Sequence, residues 1–95
     1  MAIKTQSFST IISKGSGGGY RIWIPKKIIS EIPDSTWIIE RTVLHKDGFK
    51  QILDKHPFSK AGSGKRYIPI YCEDDVTGVD YLNLGEVEVQ ISFDA

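Results

Sequence analysis

The chain has 95 residues, of which 40% are hydrophobic, 11% aromatic and 25% charged. That is a globular composition with room for one small domain, residues 1–95. Twelve basic residues balance twelve acids, and the one cysteine, Cys72, excludes both an intramolecular disulfide framework and a multi-cysteine zinc site. No apolar run reaches the roughly 18–20 residues of a membrane span and no secretory signal opens the chain, so the expectation is a cytoplasmic protein with no membrane partner.

Fourteen isoleucines and five valines against four leucines favour strands, because branching at Cβ suits a pleated surface. In chain order, Ser7 to Ser13 reads as a strand carrying Phe8, Ile11 and Ile12. The loop Gly15-Ser16-Gly17-Gly18-Gly19 follows, and then a strand from Tyr20 to Ile24. Alternation sets Tyr20, Ile22 and Ile24 on one face and Arg21 and Trp23 on the other. Pro25 suits the first turn of a short helix whose Ile28, Ile29 and Ile32 share a face, and Pro33 stops it. Thr36 to Leu44 is a long β-rich stretch, with Trp37 assigned to the core. A tight turn at Lys46-Asp47-Gly48 leads to a short strand, Phe49 to Leu53. Beyond the loop Ala61-Gly62-Ser63-Gly64, Arg66 to Cys72 reads as a strand that Pro69 confines to an edge or a bulge. From Glu86 to Phe93 every odd position is apolar and every even one polar, the mark of a half-buried strand. The implied fold is mainly β: a small β-barrel of about six strands with one short helix.

The charges are neutral in sum and polarised in layout. Residues 1–66 hold all twelve basic residues against five acids, a net charge of +7, and residues 67–95 hold seven acids and no base. Either the acidic end pairs beside basic strands and cancels them, or a basic face stands opposite an acidic one. The candidate basic face comprises Lys14, Arg21, Lys26, Lys27, Lys65 and Arg66, with Trp23 among them as an aromatic suited to stacking on a base. If both sheet faces are buried, Trp23 is core instead.

Tests for chemistry fail. The phosphate loop needs Gly, four residues, then Gly-Lys and Ser or Thr at the start of a helix. Here Gly64-Lys65 is followed by Arg66 and a strand, and Ser59 stands at the first glycine position. The dinucleotide fingerprint fails because Tyr20 stands at its third glycine and no helix opens there. His45 and His56 lack metal-ligand spacing, Cys72 beside Glu73-Asp74-Asp75 is a poor thiolate site, and that acidic run lacks the graded spacing of a calcium loop. The expectation is a non-enzymatic module with no cofactor and no metal.

The segment Tyr20-Arg21-Ile22-Trp23-Ile24-Pro25-Lys26-Lys27-Ile28-Ile29-Ser30-Glu31-Ile32 resembles the opening of AbrB/MazE-type swapped-hairpin domains. Arg66-Tyr67-Ile68-Pro69 is similar to the same first strand, and Leu82-Asn83-Leu84-Gly85-Glu86-Val87-Glu88-Val89 to the family's ending. Two such half-motifs resemble a double-split β-barrel, found in an uncharacterised branch related to AbrB. The chain departs from the family pattern where Pro33-Asp34-Ser35-Thr36 replaces its Gly-Asp turn, and no helix follows Pro69. The resemblance implies DNA binding through Arg21, Lys26 and Lys27. The favoured expectation is a nucleic-acid-binding module. The alternative is a self-assembly module, a homodimer or higher oligomer, in which the basic body of one copy meets the acidic C-terminal segment of another.

Overall fold

The computed structural model describes residues 2–15, 19–70 and 80–95. The chain is mainly β, and the described residues form eight strands in two four-stranded antiparallel sheets. β1 (Ile3–Ile11), β4 (Ile38–Lys46), β5 (Phe49–Pro57) and β8 (Glu86–Asp94) form the first sheet, in the order β1-β8-β4-β5. β2 (Ser13–Lys14), β3 (Tyr20–Trp23), β6 (Ser59–Lys60) and β7 (Arg66–Ile70) form the second, in the order β2-β3-β7-β6. One residue, Ile12, separates β1 from β2, and one, Phe58, separates β5 from β6. Both edges of the first sheet therefore run on into both edges of the second. Counted this way, six chain segments follow one another in ring order. The hydrogen-bond ladders nevertheless remain two sheets, so the expected barrel is not closed.

The core lies between the sheets. β8 supplies Val87, Val89, Ile91 and Phe93, all buried, while Glu86, Glu88 and Gln90 face solvent, as its strict alternation requires. From the second sheet come Ile22, Ile68 and Ile70, and the corner residues Ile12 and Phe58 are buried as well. Burying each such side chain contributes about 1.5–3 kcal/mol, more than an exposed surface ion pair such as Arg41–Asp54 supplies. The sandwiched isoleucines and valines hold the sheets together. At the surface, Arg41 donates to Asp54 at 2.7 Å, directly across the β4–β5 ladder. That hydrogen bond and the carboxylate charge hold the guanidinium pKa above its ordinary value, so Arg41 stays charged until strongly alkaline pH.

Three connections shape the molecule. The β4–β5 hairpin turns at Asp47-Gly48, where only the glycine takes a positive φ, of 78°. Further along, the buried positions change parity between Ile39 and Thr42, opposite Lys55, whose φ is 47°. The helix α1 (Lys26–Ile29) starts after Pro25, whose carbonyl accepts from the Ile28 and Ile29 amides, and it buries Ile28. Ile32, just beyond it, is also buried. A 3-10 turn, Tyr81–Asn83, buries Tyr81 against Tyr20 and Phe49, and the Tyr81 hydroxyl donates to Gln51 Oε1 at 2.6 Å. It ends at Gly85, whose φ of 69° is open to glycine at little cost.

Two expectations are corrected by these positions. Trp37 is not core: it is 56% exposed and stacks over Phe58 with ring centroids 6.1 Å apart. The first strand begins at Ile3 rather than Ser7 and pairs with β8 along its whole length. Pro69 lies past the end of β6, which pairs only as far as Tyr67, so among the described residues β7 is locally an edge there. The His56 ring Nε2–H takes the place of the missing strand and donates to the Pro69 carbonyl. The Cys72 end of the expected strand and the Glu73-Asp74-Asp75 run lie outside the described residues, as do Ser16, Gly17 and Gly18 of the first glycine loop. Among the described residues no helix is long and apolar enough to cross a membrane.

Candidate nucleic-acid interface

Where β1 leaves the first sheet and β3 belongs to the second, the sheets part and α1 lies alongside. A groove of about 690 Å3 occupies this seam. Thr10 of β1 lines one side; Trp23, Ile24 and Pro25 line another; Lys26 and Ile29 come from α1; Ser63, Gly64 and Lys65 come from the β6–β7 hairpin. The sequence dictates each of these placements. Ile22 and Ile24 point into the core, so alternation turns Trp23 outward. Pro25 then begins the helix and puts Lys26 at its exposed start. The hairpin closes tightly through Gly64, with a φ of 88° and its amide donating to the Ala61 carbonyl at 2.9 Å, and this brings Lys65 to the groove.

Trp23 is half-buried and held from behind. Tyr67, its partner across the β3–β7 ladder, meets it edge-on with centroids 5.3 Å apart. The Arg21 guanidinium lies 4.6 Å from the Tyr67 ring centroid and 5.6 Å from that of Trp23, so one cation caps both rings. Tyr67 was missed by sequence reasoning. Alternation around Ile68 marks it as outward-facing, but only the pairing of β3 with β7 places it beside Trp23.

The expected basic residues divide into two groups. Trp23, Lys26 and Lys65 come together in the groove, Arg21 stands behind Trp23, and Lys27 is exposed one residue along the helix from Lys26. Lys14 does not join them. It sits opposite Tyr20 in the β2–β3 ladder, on the face away from Arg21 and Trp23. Arg66 is corrected outright from face to interior, being 6% exposed, stacked over Phe58 and donating to Asp34 Oδ1 at 2.7 Å. Alternation explains this, since Arg66 shares its parity with the buried Ile68 and Ile70.

Among the described residues no acidic side chain lines the groove. The two nearby acids after the helix are occupied elsewhere, Glu31 by Lys4 and Asp34 by Arg66. Among the described residues none of Lys26, Lys27 and Lys65 is in an ion pair. The acids of β8 are on the outer face of the first sheet, where Glu88 falls in one cross-strand row with His45 and Lys50. Among the described residues no group of three or more His, Cys, Asp or Glu is placed to hold a metal ion. Comparison with protein-family models, with curated proteins and with solved structures gives no match.

Proposed function

We propose that the chain is a non-enzymatic nucleic-acid-binding module that uses the seam groove and its basic rim. The supporting observation is the placement of Lys26 and Lys65 on two different elements around the half-buried Trp23, with no carboxylate in the lining among the described residues. Two ammonium groups in no ion pair among the described residues are compact cationic anchors for phosphate oxygens, and neutralising phosphates releases counterions. The similarity of residues 20–32 to AbrB/MazE-type domains points the same way for Lys26 and Lys27.

Fluorescence anisotropy with labelled oligonucleotides, duplex and single-stranded, tests the reading across a salt series. Phosphate contacts from Lys26, Lys27 and Lys65, three in all, give a slope of log affinity against log salt of about −2 to −3. Lys26→Glu combined with Lys65→Glu is expected to abolish binding to every sequence alike, since phosphates carry no sequence information. Absence of salt-sensitive binding to either kind of strand would end the proposal.

A further inference from the structure

Resting on that reading, we infer that the ligand of the groove is an unpaired strand, with one base seated against Trp23 and its flanking phosphates on Lys26 and Lys65. The groove differs from a plain cationic surface in its floor. Ile24, Pro25 and Ile29 are apolar, and with the Trp23 ring they offer a base a place out of water, while the charges stand at the rim. A volume of about 690 Å3 is that of a small-ligand cleft. A base stacked inside a duplex cannot enter such a cleft without being flipped out, which costs unstacking and unpairing, whereas an unpaired base enters freely. Duplex phosphates would use the two lysines and leave the apolar floor wet.

The second sheet supports the same conclusion. Tyr67 meets Trp23 edge-on and Arg21 caps both rings, so the indole is held in place before a ligand arrives. Little side-chain freedom is then lost on binding. Arg21 and Tyr67 act here as positioning residues. α1 is only four residues long, too short to present a recognition surface along a major groove.

The test compares three probes of equal length on the intact chain: a twelve-nucleotide oligothymidylate, the same length of duplex, and an abasic strand with the same phosphates. The oligothymidylate is expected to bind about tenfold or more tighter than either of the others, the advantage one stacked base confers. Trp23→Ala should remove that preference while leaving weak, salt-sensitive binding; Trp23→Phe, which keeps an aromatic face, should restore most of it and guards against a folding defect in the alanine variant. Equal affinity for the oligothymidylate and the abasic strand overturns the inference. So does tighter binding to duplex, although that result leaves the nucleic-acid reading standing. Failure to bind any of the three removes both.

Discussion

Thr42 sits at full burial on β4, and its hydroxyl has no hydrogen-bond partner among the described residues. A threonine differs from valine here by one oxygen that has been taken out of water without compensation. Thr42→Val keeps the shape and removes the oxygen, so it is expected to stabilise the fold by about 1 kcal/mol, read as a shift in urea midpoint at constant m-value. A loss of stability would mean that the hydroxyl is satisfied by buried water. Trp37 makes the opposite point at the same scale. A large aromatic within an apolar run reads as core, yet Ile39 takes the buried position on β4 while Ile38 and Trp37 are left outside. Hydrophobicity marks which stretch is a strand but does not say where along it burial begins.

At the scale of elements, the helix and the turn after it are tied down by two ion pairs of unequal character. Lys4–Glu31 joins partly exposed groups, whereas Arg66–Asp34 joins a side chain 7% exposed to one 99% exposed. Breaking a fully buried pair costs about 3–5 kcal/mol and an exposed one about 0–1 kcal/mol. Asp34→Ala is therefore expected to cost about 1–2 kcal/mol, because one terminal nitrogen of Arg66, Nη1, already has no partner among the described residues. Arg66→Met should be better tolerated, since an apolar side chain over Phe58 needs no partner. Chemical denaturation of both variants decides the order, and a neutral Asp34→Ala would show that the pair holds nothing in place.

Strands were legible in proportion to how cleanly their inward row is apolar. β8, with four buried apolar residues in alternation, could be read end to end. The first half of β1 could not, because its inward row is Lys4, Gln6, Phe8 and Thr10, which looks polar although it alternates in burial perfectly. For the groove, Trp23 and Lys26 were legible from alternation and the proline. Tyr67 was not, because its position depends on a ladder between strands more than forty residues apart. Arg66 was misplaced because an arginine with inward parity was read by its charge rather than by its neighbours.

For the molecule as a whole, the two corners matter most. Ile12 and Phe58 each sit where one segment passes from the first sheet to the second, and both are buried. Phe58 also stacks under Trp37 and beneath Arg66. Phe58→Ala is expected to cost about 3–5 kcal/mol, and both sheets should melt in a single transition, with far- and near-ultraviolet circular dichroism changing together. Two separated transitions would show that the sheets are stable independently.

The groove takes Thr10 from one sheet and Trp23 from the other, so its two walls belong to layers that touch mainly through the core. Anything lodged there is a brace across the gap, gripping both layers on the side where no ladder joins them. Occupancy and resistance to prying apart are then one quantity seen from two sides, and the chain is sturdiest when it is carrying its load.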